Sequence, residues 1–148
     1  MTIGTALLAA AIAITVLMVA TWLVSLPLRN ASIVDIVWGL GFVVVAWTVR
    51  LQGTTNASRQ WLLVALVSVW GLRLAGYLYW RNHGKGEDYR YRAMRKRWGP
   101  RFGVISLGTV FVLQGVLMWI VSLPVQLAQT ADDDGFGILA VVGIVVWV

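Results

Sequence analysis

The residues best suited to chemistry lie in one polar segment, residues 81–101, which reads RNHGKGEDYRYRAMRKRWGPR. Within it, residues 87–92 combine two carboxylates, two phenols and two guanidiniums. Arginine binds phosphate through paired hydrogen bonds, a carboxylate can hold the arginine or accept from a ribose hydroxyl, and tyrosine can stack or donate a proton. The mixture favours a site for a phosphate-bearing ligand. A topology signal or lipid-headgroup anchor is the alternative.

Two more ionisable residues, Asp35 and Arg73, lie within apolar segments. A charge inside the hydrocarbon region is costly, so such residues are usually paired or functional. By helix rise, Asp35 lies roughly 8 Å and Arg73 roughly 12 Å from the same end of their segments. The similar depths predict a salt bridge between the second and third apolar segments. This pair either only joins the two helices or lines a cavity that opens to the cytoplasm.

The segments that position these residues have recognisable helical features. Ser32 precedes the second segment and is a candidate N-cap, because its hydroxyl can accept from an unpaired backbone N–H. In the third segment Gly71 and Gly76 predict close approach of another helix. Helical spacing also places one set of aromatic and basic residues on a common face: Trp70, Arg73, Tyr77, Trp80 and Arg81.

The composition indicates a membrane protein. Of the 148 residues, 59% are hydrophobic and only 12% are charged, whereas a soluble domain carries about 25% charged residues. The net charge of +6 is concentrated in one loop, which favours anionic lipid or a phosphate-bearing cofactor over nucleic acid. With no cysteine and a single histidine, thiol catalysis, disulfides and a Cys- or His-based metal site are excluded.

The hydrophobic pattern predicts an all-α fold, a polytopic transmembrane helical bundle with four full spans plus a truncated fifth. The spans are expected at about residues 3–27, 33–50, 61–80, 102–127 and 136–148. A short amphipathic cytoplasmic helix is expected over residues 88–98, between spans three and four. The last span reaches only roughly 20 Å across a core about 30 Å thick. We therefore expect residues 1–148 to be a single membrane domain and a fragment that stops inside its fifth span.

The basic residues also predict the orientation. Loops on one side of the membrane carry nine basic residues, and the opposite side carries Arg50 and Arg59. By the positive-inside rule the N-terminus is outside and residues 81–101 are cytoplasmic. The acidic loop at residues 132–134 is then outside. We expect a multi-pass protein of the cell membrane.

Several motifs together resemble one known family, DUF1295, a group of membrane proteins similar to steroid 5-alpha-reductases. The resemblance covers roughly residues 31–124. Each motif alone is weak, but their order is specific. They are SIVDIVWG at 32–39, WGLRL at 70–74, Arg81, GKGEDYRY at 84–91, FVLQG at 111–115 and SLP at 122–124.

The resemblance implies an NADPH-dependent membrane enzyme that reduces a carbon–carbon double bond conjugated to a carbonyl in a lipidic substrate. It implies cofactor binding by residues of the third span and the following loop: Arg73, Arg81, Glu87, Arg90 and Tyr91. In steroid reductases an acid and a tyrosine polarise the substrate carbonyl. The tyrosine position falls near Trp70 here, so Tyr77 is the substitute, and Asp35 is the nearest candidate acid.

Two other functions stay open. One is a membrane methyltransferase that uses S-adenosylmethionine, and the other is a truncated, non-enzymatic membrane protein whose basic loop binds lipid. Family members continue into a C-terminal half that holds much of the cofactor, so the chain alone is expected to be inactive. The expected partners are membrane lipids and a lipophilic small molecule, with no nucleic acid and no metal ion.

Overall fold

The structure is a computed structural model that describes residues 2–53, 58–130 and 138–147. The described residues are helical and contain no strand. The helices are α1 Ile3–Leu28, α2 Ile33–Gln52, α3 Ser58–Asn82, α4 Tyr89–Trp98, α5 Phe102–Ser106, α6 Leu113–Val121, α7 Leu123–Ala128 and α8 Ile138–Trp147. A 3-10 turn over Gly99–Arg101 joins α4 to α5, and a π-helix over Leu107–Val112 joins α5 to α6.

Four helical segments are long and apolar enough to cross a membrane: Ile3–Leu28, Ile33–Gln52, Ser58–Asn82 and Tyr89–Val121. This confirms an all-helical fold of the membrane type. The acidic loop at 132–134 and residues 136–137 and 148 of the fifth predicted span lie outside the described residues. The exact number of spans, their orientation and the amphipathic, interfacial position of α4 stay predictions.

Both ends of α1 have a local chemical cause. At its start the Thr2 hydroxyl accepts from the backbone N–H of Thr5 at 3.2 Å, which caps an otherwise unpaired donor. At its end Arg29 has a left-handed backbone with φ 48°. There the N–H groups of Arg29 and Asn30 donate to the carbonyls of Leu26 and Ser25, each at 3.2 Å. Such a left-handed end turns the chain sharply, so α2 starts close to the end of α1.

The closest helix contact joins α2 to α3 through glycine. A Cβ atom added at Gly39 would lie 2.5 Å from the carbonyl oxygen of Gly71, and one added at Gly71 would lie 2.5 Å from that of Gly39. The two backbones therefore touch directly, as small residues allow. The prediction of close approach is confirmed for Gly71. It is wrong for Gly76, where an added Cβ meets no atom of the described residues within 4 Å.

Indole and amide groups link the other helices. Trp22 donates to the carbonyl of Gly103 at 2.8 Å, which joins α1 to α5, and Trp119 donates to that of Leu7 at 3.1 Å, which joins α6 to α1. At the far end of α2 the buried Gln129 amide donates to the carbonyl of Ala46 at 3.1 Å. These bonds satisfy buried polar groups without charge, as a membrane-type core requires.

We predict that Gly71→Ala lowers the melting temperature of the detergent-purified protein, because the new methyl group overlaps a backbone carbonyl that cannot rotate away. The expected cost is about 1–3 kcal/mol, the usual range for overpacking. Gly76→Ala is the matched control, since it adds the same methyl group to the same helix in open space. Equal melting temperatures for the two variants would show that the α2–α3 contact is looser than described.

Candidate functional site

A polar cluster forms where the turn between α1 and α2 meets the loop that leads into α4. The Ser32 hydroxyl accepts from the backbone N–H of Asp88 at 2.6 Å, and the Glu87 carboxylate accepts from the backbone N–H of Ala31 at 2.9 Å. Ser32 is the N-cap residue of α2, as predicted, but its hydroxyl makes no cap hydrogen bond to that helix, so only the predicted capping bond is wrong. The hydroxyl instead joins two segments that are 56 residues apart in the chain.

The Glu87 carboxylate also holds Arg95 through two parallel hydrogen bonds. Arg95 Nε lies 2.9 Å from Glu87 Oε2, and Arg95 Nη2 lies 2.8 Å from Glu87 Oε1. The Glu87 side chain is only 7% exposed, and the Arg95 guanidinium lies 4.5 Å from the centre of the Phe102 ring. This paired geometry is the strong form of a charge-assisted hydrogen bond. It fixes α4 to the α1–α2 turn.

Asp35 is the second carboxylate of the cluster. Its Oδ2 lies 3.0 Å from Arg90 Nη2, and its Oδ1 accepts from the Tyr91 hydroxyl at 2.9 Å. Arg90 also donates from Nε to Asp88 Oδ1 at 3.0 Å. One guanidinium thus bridges two carboxylates, and the phenol of Tyr91 completes the set.

The predicted salt bridge between Asp35 and Arg73 is therefore wrong. The start of α4 lies over the first turn of α2, so Arg90 and Tyr91 reach the carboxylate first. Helix α3 packs on α2 through Gly71 and Ala75, whereas Arg73 lies on an exposed part of its surface. Similar depth in the membrane was not enough to make the two residues partners.

Of the residues proposed from sequence, the structure brings four into this cluster and leaves three on α3. The four are Asp35, Glu87, Arg90 and Tyr91. The three are Arg73, Tyr77 and Arg81. Tyr77 is 53% exposed, and the Arg81 guanidinium lies 5.9 Å from its ring centre. The site therefore has two parts, a paired cluster and an exposed aromatic and basic face.

Arg73 and its neighbours line an open cleft of about 530 Å³ on α3, formed by Trp70, Arg73, Leu74 and Tyr77. Arg73 makes no hydrogen bond or ion pair with any residue that the structure describes. An unpaired guanidinium that lines one cleft with two aromatic side chains is suited to an anionic ligand that also has a flat ring.

The sequence did not reveal Arg95 as a member of the cluster. Glu87 lies before α4 and Arg95 lies inside it, so no helical spacing rule links the two. Their contact depends on a loop in which Gly84 and Gly86 adopt positive φ angles of 75° and 71°. Within the described ranges no three His, Cys, Asp or Glu side chains form a group that could hold a metal ion.

The cluster keeps its two loop carboxylates ionised. Burial raises the pKa of Glu87, but the hydrogen bonds from Arg95 and from the backbone of Ala31 outweigh it, and the net pKa is lowered from the ordinary 4.5. The pKa of Asp88 is also lowered, chiefly by hydrogen bonds from the Arg90 side chain and backbone. Both groups are therefore anions at neutral pH.

Residues 21–148 match the model of a family described as a protein of unknown function, DUF1295. The chain belongs to the DUF1295 family. The matched range contains the whole paired cluster and the α3 cleft of this DUF1295 protein. Comparison with curated proteins and with solved structures found no match. The resemblance to DUF1295 is confirmed, and the further similarity to steroid 5-alpha-reductases stays a prediction.

We predict that acid weakens this DUF1295 protein through Glu87. The folded-state pKa of Glu87 is depressed, so its contribution is complete above the unfolded value, near 4.5, and is lost as the pH falls through the folded value. Glu87→Gln should lower stability at pH 7 by about 1.5 kcal/mol, the lower end for a hydrogen bond to a charged group. The lower end of that energy range applies because the Arg95 side chain is 29% exposed, so water partly screens its charge.

Melting temperatures measured in detergent from pH 7 to pH 3 test this expectation. The variant should start lower and lose less on acidification than the wild type, because it has no Glu87 carboxylate to protonate. Asp88→Asn is the comparison, since Asp88 is the more exposed of the two side chains and should have the smaller effect at pH 7. Parallel pH curves for the wild type and Glu87→Gln would contradict the assignment.

Proposed function

We propose that this protein binds NADPH against the Arg73 cleft of α3 and takes part in reducing a double bond conjugated to a carbonyl in a lipophilic substrate. The observation that carries the proposal is the position of Arg73. It lies inside a helix long and apolar enough to span a membrane, and it faces a cleft without a partner among the described residues. An ionisable residue in such a place is a functional-site candidate.

The charges of the chain support an external anion. Among the described residues the carboxylates are Asp35, Glu87 and Asp88, and each is already bonded to Arg90 or Arg95. No described carboxylate is left to neutralise Arg73. A phosphate group of a bound ligand supplies the missing negative charge, and arginine is well suited to bind it in a bidentate manner.

The cleft also fits the rest of a dinucleotide. Trp70 and Tyr77 flank Arg73 and offer flat surfaces for an aromatic base. Arg81 lies eight residues further along α3, roughly 12 Å by helix rise, so the two arginines can contact separate anionic groups of one extended ligand. When bound, NADPH supplies the hydride, and the protein supplies position and electrostatics.

The remaining candidate residues have different parts in this proposal. Tyr77 is exposed beside Arg73, so its hydroxyl is free to donate a hydrogen bond to a substrate carbonyl. Both oxygens of Asp35 are engaged by Arg90 and Tyr91, which makes all three positioning residues that hold the start of α4. Glu87 holds Arg95 and the α1–α2 turn, and it acts on the ligand only through the shape of the site.

The charge of the cleft favours NADPH over S-adenosylmethionine. S-adenosylmethionine has a cationic sulfonium and no phosphate, whereas NADPH has several phosphate oxygens. The positive charge of Arg73 attracts the phosphates of NADPH and repels the sulfonium of S-adenosylmethionine. By the positive-inside rule, the proposed site opens to the cytoplasm, where residues 81–101 are expected.

We predict that the protein purified in detergent binds NADPH and that Arg73→Gln weakens binding by about tenfold or more, as expected for the loss of a hydrogen bond between charged groups. Arg81→Gln should weaken it as well. Arg97→Gln is the matched control, because it removes the same charge from an exposed position on α4. Binding is measured by NADPH fluorescence and by calorimetry at fixed salt.

Three results would contradict the proposal. Binding that is unchanged by Arg73→Gln removes the cleft from consideration, and an equal loss in Arg97→Gln indicates only non-specific attraction. Tighter binding of S-adenosylmethionine than of NADPH favours the methyltransferase. The Tyr77 assignment is tested separately, since Tyr77→Phe should leave NADPH affinity unchanged and weaken binding of an enone probe in the presence of NADPH.

A further inference from the structure

A second groove lies on the other side of α2, between α1 and the segment that runs from α4 to α6. Its polar end has a volume of about 510 Å³ and is lined by Ser25, Arg29, Arg95, Pro100, Phe102 and Ser106, among others. Two guanidiniums face this end. It lies where the α1–α2 turn meets the start of the fourth long helical segment, so it is at an end of the bundle.

The same two segments form an apolar groove further along α1. This part has a volume of about 260 Å³, and its walls include Ile14, Met18, Phe111, Val112 and Trp119. The π-helix supplies Phe111 and Val112, and π-helical turns in α-helices are frequent at functional sites. The walls lie inside helices long and apolar enough to span a membrane, so we expect this groove to face hydrocarbon.

The polar and apolar parts are two cavities that follow one another along α1, with the Trp22–Gly103 hydrogen bond between them. Along α1 the polar part involves Ser25 and Arg29, and the apolar part runs from Val19 back to Ala11. By helix rise, Ser25 to Ala11 is about 21 Å, which exceeds the about 15 Å of hydrocarbon in one leaflet. Together the two cavities have the length and the polarity sequence of a membrane lipid, with a charged end and an apolar remainder. A lipid that occupies both passes over the partly buried indole of Trp22.

We propose that this groove binds one anionic phospholipid, with the phosphate at Arg29 and Arg95 and an acyl chain between α1 and the π-helix. Arg29 has no ion pair among the described residues. Arg95 uses Nε and Nη2 to hold Glu87, which leaves Nη1 for a phosphate oxygen. Charge complementarity thus selects an anionic headgroup, and the membrane location selects the acyl chain.

This lipid is distinct from the substrate of the proposed reductase. The Arg73 cleft lies on α3, and the lipid groove lies between α1 and the fourth long segment. Helix α2 contacts both α1 and α3, so it lies between the two sites. The phospholipid is inferred to support the fold from the α1 side, and it does not need NADPH in order to bind.

Native mass spectrometry of the 148-residue chain in detergent tests the inference with dioleoyl phosphatidylglycerol and dioleoyl phosphatidylcholine, which share their acyl chains. The wild type should bind the anionic lipid more strongly. Arg29→Asn should reduce this preference by about fivefold, the size expected for one cation near an anionic surface. Asn suits the left-handed backbone at this position. Arg29→Lys should keep most of the preference, and Arg97→Gln is the control for net charge.

The apolar part is tested with Val112→Trp, which fills the groove from its wall. The control is Val104→Trp, because Val104 is 75% exposed on α5 and does not line the groove. Val112→Trp should weaken binding of both phospholipids, and Val104→Trp should not.

An equal loss of preference in Arg29→Asn and Arg97→Gln would overturn the inference, because it would show only attraction to net positive charge. Strong binding of free oleate without binding of phosphatidylglycerol would overturn the assignment of a phospholipid. These measurements use no NADPH, so they are independent of the proposed reductase.

Discussion

The rest of the site depends on three hydrogen bonds that the Glu87 carboxylate accepts. One comes from the backbone of Ala31 and two come from the guanidinium of Arg95. They join three segments that are distant in sequence: the α1–α2 turn, the loop after α3 and helix α4. A nearly buried carboxylate tolerates this position only because its oxygens accept three hydrogen bonds. With α4 fixed in this way, Arg90 and Tyr91 are brought to Asp35.

The pairing also determines where charge is left over. All described carboxylates lie in the cluster, where Arg90 and Arg95 bind them. Arg73 on α3 and Arg29 at the α1–α2 turn are left without an ion pair among the described residues. The most economical use of such charge beside a membrane is to bind external anions. The two proposed ligands differ in chemistry, but both follow from this one imbalance.

The sequence predicted the helices well and their mutual orientation poorly. Long apolar segments and a Gly99-Pro100 pair were enough to place four long helices and the end of α4. The close contact at Gly71 was also predicted, from the small size of glycine. The partner of Asp35 was not predicted correctly, because depth along a helix gives only the position along the membrane normal. It does not show which side of the helix faces a neighbour. The roles of Ser32 and Arg95 depend on a loop with two positive-φ glycines, and no periodic pattern encodes that conformation.

Helix α2 is held at three levels. Asp35 is bonded at its start, the Gly39 backbone touches Gly71 in its middle, and the carbonyl of Ala46 accepts from Gln129 toward its end. A helix restrained in this way can neither slide nor rotate without breaking several contacts. It therefore acts as a partition, so occupancy of the α3 side and of the α1 side should be thermodynamically additive. Any coupling free energy between the two sides would measure the compliance of α2 itself.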